Sequence, residues 1–412
     1  MNINHSQKII HLSTFFNKGG SGRSAYRIHS GLTRNSFDSK MLVKHLDIDC
    51  KNVSNISGGT IKFIDKFLSK ILNLLSLNDM FFLSTFFLRF NSFFKSANII
   101  QLYNLHGNYF GLVFLPFIAK NKTIVLRLSD MWSFTGHCSY SYDCEKWKKG
   151  CGKCPYLNEY PKLKFDNTKL LWKLKKMIFN NCNKLHVVAP SKWIKNISEE
   201  SPIFSNAQFH YIPNGIDTDI FSIKFRNDKT NPLKNKKNKV VMFISESFDE
   251  DYRKGSKYFI EALNILKNNY DINISILIVG NTSEKNDFPY CVQYKGFLKN
   301  NIDLRDCYCN SDILVLPTLA ENLPNTILES MACGTPVVGF NIGGLPDAIK
   351  HMENGYLANY KDSNDLARGI YTILSNEELL KKMSLKSNQL IEKEFTQKNE
   401  IDNFIKLYDS LN

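Results

Sequence analysis

Short apolar runs recur along the chain, each closed by glycine, proline, asparagine or serine and followed by a stretch whose apolar positions return every three or four residues. In the first half, residues 8–14 (Lys-Ile-Ile-His-Leu-Ser-Thr), 98–106, 123–130 and 184–190 read as strands; in the second, 240–245, 274–279, 292–297, 313–316 and 337–340 do. Runs that do not alternate with polar residues suit strands covered on both faces, the pattern of a parallel sheet flanked by helices. Helical spacing falls between them, near 24–33, 167–181, 255–266 and 304–311, from 363 onward, and in a final helix at 400–411. Strand and helix alternating in this way predict an α/β fold with parallel sheets, whose ligands sit at the carboxyl ends of the strands.

One stretch carries the densest chemistry: Ala320-Glu321-Asn322-Leu323-Pro324-Asn325-Thr326-Ile327-Leu328-Glu329, then Ala332-Cys333-Gly334-Thr335-Pro336-Val337-Val338. The strand 313–316 stops at Pro317, a loop holds Glu321, Pro324 and Asn325 suit a helix start, and Gly334 suits its end. The free N–H groups of Asn325 and Thr326, just beyond Pro324, make an anion site with the helix dipole. Glu329, one turn in, would repel phosphate but can accept hydrogen bonds from ribose hydroxyls, while Glu321 can meet a second polyol. The alternative is an ordinary helix with solvated carboxylates.

The two glutamates, with seven residues between them in this text, resemble the signature of group 1 (family 4) retaining glycosyltransferases, in the branch that builds bacterial polysaccharides such as O-antigen, capsule and exopolysaccharide. The resemblance implies the GT-B fold, two Rossmann-like parallel-sheet domains facing each other across a cleft. The Asn214-Gly215-Ile216-Asp217 stretch marks the passage between halves in that family. It gives an acceptor-side domain at 1–205 with an insertion at 131–160, a nucleotide-sugar domain at 206–390, and a terminal helix, 391–412, crossing back. The donor is then a nucleotide-diphosphate sugar, bound by Leu323, Pro324, Asn325, Thr326 and Glu329 and by the glycine-rich turn Gly19, Gly20 and Gly22. Arg253 and Lys254, just ahead of Gly255, would neutralise charge on the leaving nucleotide. Glu321 and Lys254, with Asp130, are the candidate catalytic residues, and no catalytic metal is expected. Two departures stand out. Ser129 occupies the place of the family's histidine before Asp130-Met131-Trp132, with His106 or His137 as stand-ins, and Ser245–Phe248 lacks the usual arginine, leaving Arg253 for that contact.

Four cysteines, Cys138, Cys144, Cys151 and Cys154, fall within seventeen residues and end in Cys-Gly-Lys-Cys. Such thiolates can close a tetrahedral structural zinc site with no open position for chemistry; an iron–sulfur cluster or a loop of reduced thiols are the alternatives. Relatives share the insertion, which would shape the acceptor side. Residues 61–94 are rich in Phe, Leu and Ile interspersed with Lys62, Lys66, Lys70 and Arg89. This face either packs on the sheet or lies on a membrane surface where a lipid-linked acceptor waits.

Composition narrows the rest. An apolar content of 43% with 22% charged residues is that of a folded protein. The net charge of +14 favours phosphate-bearing partners or an anionic membrane surface. The lysines are dispersed, including those of an exposed loop at 224–239, rather than gathered in the stripe that a zinc-knuckle nucleic-acid binder would need, so no nucleic acid is expected. Another enzyme of the same fold, a phosphorylase or a sugar-nucleotide epimerase, is the nearer alternative. The first residues lack a signal-peptide pattern, no apolar run reaches the length of a membrane span, and ten scattered cysteines suit a reducing compartment; together these give a cytoplasmic expectation, on the inner face of the plasma membrane where the acceptor is lipid-linked.

Overall fold

The computed structural model describes residues 7–46, 50–226, 238–282 and 287–411. The chain divides into two compact units, residues 1–213 with 400–412, and residues 214–399. Most of the basic loop read at 224–239 lies outside the described residues.

The first unit is built on seven strands: β1 (Lys8–Phe15), β2 (Asp38–His45), β3 (Val53–Asn55), β4 (Ile99–Leu102), β5 (Thr123–Arg127), β6 (Leu185–Ala189) and β7 (Gln208–Tyr211), in the order β3-β2-β1-β4-β5-β6-β7. Every pairing is parallel; Ile10, for example, lies opposite Lys40 on one side and Ile100 on the other. Burial on both faces explains the unalternating sequence of β4 and β5, in which all side chains are buried. It also sets a condition for His11, the polar residue in the middle of β1. His11 is held by Tyr103 Oη at 3.0 Å and Ser39 Oγ at 3.0 Å. Burial, with His29 nearby, keeps its pKa well below the usual histidine value, so the ring stays neutral in the core.

Residues from 400 onward return to this unit. Glu400, fully buried, accepts from Arg27 Nε at 2.6 Å and from Arg127 Nη2 at 2.9 Å. Tyr408 Oη donates to Gln101 Oε1 at 2.7 Å beneath β4. Ile401, Phe404, Leu407 and Tyr408 complete the core layer that contains Ile9, Ile28, Met41 and Val125.

The second unit has six strands: β8 (Lys239–Ser247), β9 (Ile274–Asn281), β10 (Val292–Tyr294), β11 (Ile313–Leu316), β12 (Val337–Phe340) and β13 (Gly355–Ala358), ordered β10-β9-β8-β11-β12-β13 and all parallel. Helices cover both faces. Ser256–Asn269 and Ser363–Leu374 bury Phe259, Leu263, Leu366 and Ile370 on one side. Asn301–Cys309 and Asn325–Ala332 bury Tyr308, Ile327, Leu328 and Met331 on the other. Both sheets are Rossmann-like, and in each the strand order reverses once, between β1 and β4 and between β8 and β11. A doubly wound sheet binds its ligand at that reversal, because the connections leave on opposite faces and part the loops there.

The segment at 59–96 departs from simple sheet packing. The helix Gly59–Leu74 buries one side chain, Asp65, and leaves Phe63 76% and Phe67 65% exposed. Asp65 is turned inward because its carboxylate accepts from the backbone N–H groups of Leu83 at 2.7 Å and Ser84 at 3.1 Å, the open end of the next helix. Among the described residues no helix is long and apolar enough to cross a membrane.

Candidate functional site

The loop after β8 and the loop after β11 flank the strand-order reversal of the second unit, and their charged residues meet. Lys254 Nζ and Arg253 Nη1 each reach Glu321 Oε2 at 2.7 Å. Arg253 Nη1 also donates to the Ala320 carbonyl at 3.0 Å, and its Nη2 pairs with Asp251 at 3.1 Å. Burial alone would raise the Glu321 pKa, but Lys254 and Arg253 prevail and draw it from 4.5 down to about 2. The carboxylate is therefore ionised under all ordinary conditions, fixed between two cations.

Backbone geometry holds this cluster in register. Gly255 adopts φ +74°, and a Cβ there would lie 1.9 Å from the Pro317 carbonyl oxygen, so only glycine lets the β8 loop press against the end of β11. Across that contact Leu319 N–H donates to the Arg253 carbonyl at 2.7 Å and Thr318 Oγ1 donates to the same oxygen at 3.0 Å. On the far side Gly343, at φ +57°, crowds the Glu321 carbonyl in the same manner, and Gly344 N–H donates to Asn322 O at 2.8 Å. The Gly343-Gly344 turn after β12 is thus a brace for the Glu321 loop.

The helix Asn325–Ala332 begins directly beyond, with Pro324 at its N-cap and no side-chain cap. Asn214 Nδ2 donates to the Leu323 carbonyl at 2.8 Å and to Asn325 Oδ1 at 3.1 Å, pinning the approach to the helix. Leu323 is buried, whereas Thr326 carries a buried Oγ1 with no hydrogen-bond partner among the described residues. A buried unsatisfied hydroxyl at an uncapped helix start is a place where an oxygen-rich ligand gains a bond that the protein leaves unmade. Glu329 lies inside the helix, 7% exposed, with its Oε2 accepting from Tyr308 Oη at 3.0 Å. The structure thus gathers Arg253, Lys254, Glu321, Leu323, Pro324, Asn325, Thr326 and Glu329 around two loops from strands adjacent in the sheet and one helix start of a single unit.

The remaining sequence-derived residues belong to the first unit. The helix Gly19–Arg34 starts within the glycine-rich turn, five residues ahead of the start expected from its apolar spacing, since glycines carry no periodic signal. Gly22 packs against Phe15, where a Cβ would meet Phe15 at 3.1 Å; Gly19 and Gly20 face open space. Two buried hydroxyl oxygens without partners among the described residues, Thr14 Oγ1 and Ser21 Oγ, lie at the end of β1 and in this turn.

Asp130, beyond β5, accepts from Trp132 N–H at 2.9 Å and pairs with His106 Nε2 at 2.8 Å. Of the two histidines considered in place of the one missing at Ser129, His106 is the one at Asp130; His137 instead contacts the Pro161 carbonyl at 2.9 Å. Burial opposes protonation of His106, but Asp130 outweighs it and the pKa is raised. Its Nδ1 lies 3.3 Å from Tyr160 Oη.

Two supporting residues carry no motif. Asp79 holds the N–H groups of Gly107 and Asn108 beside His106, at 3.1 and 2.6 Å. Lys175, fully buried, donates to the carbonyls of Trp132 at 2.5 Å and Thr135 at 3.1 Å, and burial brings its pKa down to about 7. The signal for Lys175 was a lone lysine on the apolar face of a helix; Asp79 had none.

Cys138, Cys144, Cys151 and Cys154 line one cavity together with His137. Gly136 N–H donates to Cys151 Sγ at 3.2 Å and Tyr156 N–H to Cys154 Sγ at 3.4 Å; His137 Nε2 stands 3.4 Å from Cys154 Sγ. Burial pushes the Cys138 thiol up to about 12 and the Cys151 thiol up to about 11, so both stay protonated in this arrangement. Among the described residues no three His, Cys, Asp or Glu side chains stand together as a ready ligand set.

Residues 238–376, which span the cluster and the helix start, match the family described as glycosyl transferases group 1. That match covers about a third of the chain. Among relatives, it is 26% identical over 225 residues to the putative colanic acid biosynthesis glycosyl transferase WcaC of Escherichia coli K12, covering 52% of this chain and 51% of that one. It is 28% identical over 181 residues to the N,N'-diacetylbacillosaminyl-diphospho-undecaprenol alpha-1,3-N-acetylgalactosaminyltransferase of Campylobacter jejuni, covering 42% and 45%. The chain spans about half the length of the curated relatives it matches. The fold is that of GT-B glycosyltransferases: the Anabaena HepE structure in complex with UDP-glucose superposes with a TM-score of 0.63 at 15% identity over 98% of this chain and 100% of that one.

Proposed function

We propose that this chain is a group 1 glycosyl transferase that moves a sugar, with retention of anomeric configuration, from a nucleotide-diphosphate donor to a hydroxyl of a lipid-linked glycan during assembly of a bacterial surface polysaccharide. The observation that carries the reading is the convergence of Lys254 and Arg253 on Glu321 at the strand-order reversal, one short loop ahead of an uncapped helix. The HepE structure with UDP-glucose and the undecaprenol-linked substrate named for the Campylobacter relative support the donor and acceptor classes.

The chemistry follows from the charges. A departing nucleoside diphosphate gains negative charge as the glycosidic bond breaks, and Lys254 and Arg253 neutralise it together with the N–H groups at Asn325 and Thr326. Thr326 Oγ1 supplies a further hydrogen bond to the diphosphate. Glu321 cannot protonate anything at a pKa of about 2; it positions the cations and accepts hydrogen bonds from donor-sugar hydroxyls. Glu329, oriented by Tyr308, accepts from the ribose. In the first unit Gly19, Gly20 and Gly22 let the donor approach the backbone, and the Asp130–His106 pair serves the reacting hydroxyl. The role is positional and electrostatic, with no dedicated protein nucleophile.

For the cysteines we propose a structural zinc ion, which would close the loop and do no chemistry. The four sulfurs share one cavity, and the backbone N–H groups directed at Cys151 and Cys154 partly offset the burial that otherwise keeps these thiols protonated; a bound cation would complete that offset. Elemental analysis of the purified chain would find about one zinc per molecule, reduced in Cys151→Ser.

The test of the main reading is a thermal-shift series with UDP-, GDP- and ADP-sugars. A donor at a hundredfold excess over its Kd stabilises the site by about 2.7 kcal/mol. One nucleotide should stand out, Glu329→Ala should weaken it, and Lys254→Ala should abolish transfer to a lipid-linked acceptor. A response to none of the nucleotides would overturn the assignment.

A further inference from the structure

The helix Gly59–Leu74 makes poor sense as part of a globular surface. Sixteen residues long and rich in Phe, Ile and Leu, it buries only its single acidic residue. The apolar side chains are turned out: Phe63 and Phe67 are more than 60% exposed, Leu74 and Leu75 about half, and Ile64 and Ile71 between 37% and 40%. Positions 63, 67, 71 and 74 follow one another at helical spacing and form a single stripe along a helix of about 24 Å. Contiguous exposure of this kind marks a surface that meets another phase.

Charge on the same helix identifies that phase. Lys62, Lys66 and Lys70 recur every fourth residue on its exposed side, and the only carboxylate, Asp65, is taken inward by Leu83 N–H and Ser84 N–H. The exposed side therefore carries three cations and no anion. Next to it, Phe81, Phe87, Phe90 and Phe117 are at least 36% exposed, and the Arg89 guanidinium stacks 4.7 to 5.1 Å from the rings of Phe86, Phe90 and Phe117. Apolar stripe, flanking lysines and aromatic rings are the ingredients of a helix lying in the plane of a lipid surface.

We propose that the helix Gly59–Leu74, with the aromatic cluster at 81–117, docks this chain onto an anionic lipid bilayer. Phe63, Phe67, Ile71 and Leu74 enter the acyl boundary while Lys62, Lys66 and Lys70 meet lipid phosphates. Asp65 sets the roll of the helix: its two backbone bonds turn the apolar stripe outward and leave no carboxylate facing the lipid. The docked helix is also tied to the His106 loop. Asp79, just beyond it, holds Gly107 and Asn108, and Ser69 Oγ lies 3.4 Å from Asn108 Oδ1. Docking thus brings the Asp130–His106 pair of the first unit toward the layer in which a lipid-linked acceptor resides. The docking itself stands on the exposed face alone and does not require the proposed transfer reaction.

The test is co-sedimentation of the full chain with vesicles of phosphatidylcholine alone or containing one-third phosphatidylglycerol, with no donor present. Binding is expected to the anionic vesicles and to weaken with salt. The exposed double variant F63S/F67S should lose at least tenfold in partitioning. Replacing Lys62, Lys66 and Lys70 by Gln should remove on the order of a hundredfold of the anionic preference. Each variant should keep the parent's melting temperature and nucleotide-induced shift, because these side chains lie outside the core. No binding to anionic vesicles, or unchanged binding by F63S/F67S, overturns the proposal. So does a dimer in solution that F63S/F67S dissociates without any vesicle binding, since the face would then belong to a second copy of the chain.

Discussion

Removing the charge of Glu321 with Glu321→Gln tests the geometry of the site most directly. The folded carboxylate titrates at about 2 against 4.5 for a free one, a difference worth about 3 kcal/mol of folded-state stabilisation. Because the folded value is depressed, this contribution is present in full above 4.5 and disappears as pH falls toward 2. Glutamine keeps the shape but leaves Lys254 and Arg253 facing each other across a neutral group. At neutral pH the second unit should therefore melt about 6–12 °C lower, taking about 2–4 °C per kcal/mol for a domain of this size. Calorimetry of parent and variant between pH 7 and pH 3 reads the effect, and the gap should narrow below pH 4.5. Equal melting at pH 7, or a gap independent of pH, would refute the assignment of Glu321 as the counter-ion of both cations.

The same variant should bind nucleoside diphosphate several-fold more tightly than the parent, measured by calorimetric titration, while transferring no sugar, because the cations lose a competitor and the donor sugar loses its acceptor group. Gly255→Ala forces a Cβ against the Pro317 carbonyl at positive φ and should cost at least about 2 kcal/mol in denaturant unfolding. Glu400→Ala strands Arg27 and Arg127 beside an apolar core and should cost about 3–5 kcal/mol in the first unit, seen as lost hydrogen-exchange protection of β1 and β5. The raised pKa of His106 means that its pairing with Asp130 stabilises the fold fully below the ordinary histidine pKa of 6.5 and is lost as pH rises through the folded value. Asp130→Asn should abolish that dependence and lower the His106 pKa in an NMR titration.

How far the sequence was readable depends on which force shaped each part. Strands β8, β11 and β12 were legible because burial on both faces leaves nothing but apolar residues between turn signals, and the Glu321 loop because its text is dense with turn and cap chemistry. β2 and β3 escaped notice: Asp38-Ser39-Lys40 and a three-residue edge strand carry no such run. Lys254 reads as a cation ahead of its helix that meets the leaving nucleotide, whereas its partner in the structure, Glu321, lies 67 residues away in sequence, a pairing that arises from β8 and β11 being neighbours in the sheet. The sequence showed an apolar and basic segment at 61–94 but not which way its apolar face turns. That direction is decided by Asp65 and two backbone amides, a tertiary contact to residues 83 and 84 that local spacing does not encode. His106 at Asp130 is a similar case, produced by adjacent strand ends rather than by adjacent sequence.

The return of residues 400–411 to the first unit sets a clock on synthesis. Core positions beneath β1 and β4 are filled by Ile401, Phe404 and Tyr408, which leave the ribosome only after all of the second unit has been made. The first sheet, although translated first, must wait with one flank uncovered and with Arg27 and Arg127 short of their shared counter-ion. A chain stalled before residue 400 would expose that flank to chaperones and proteases while its later-made half was already folded.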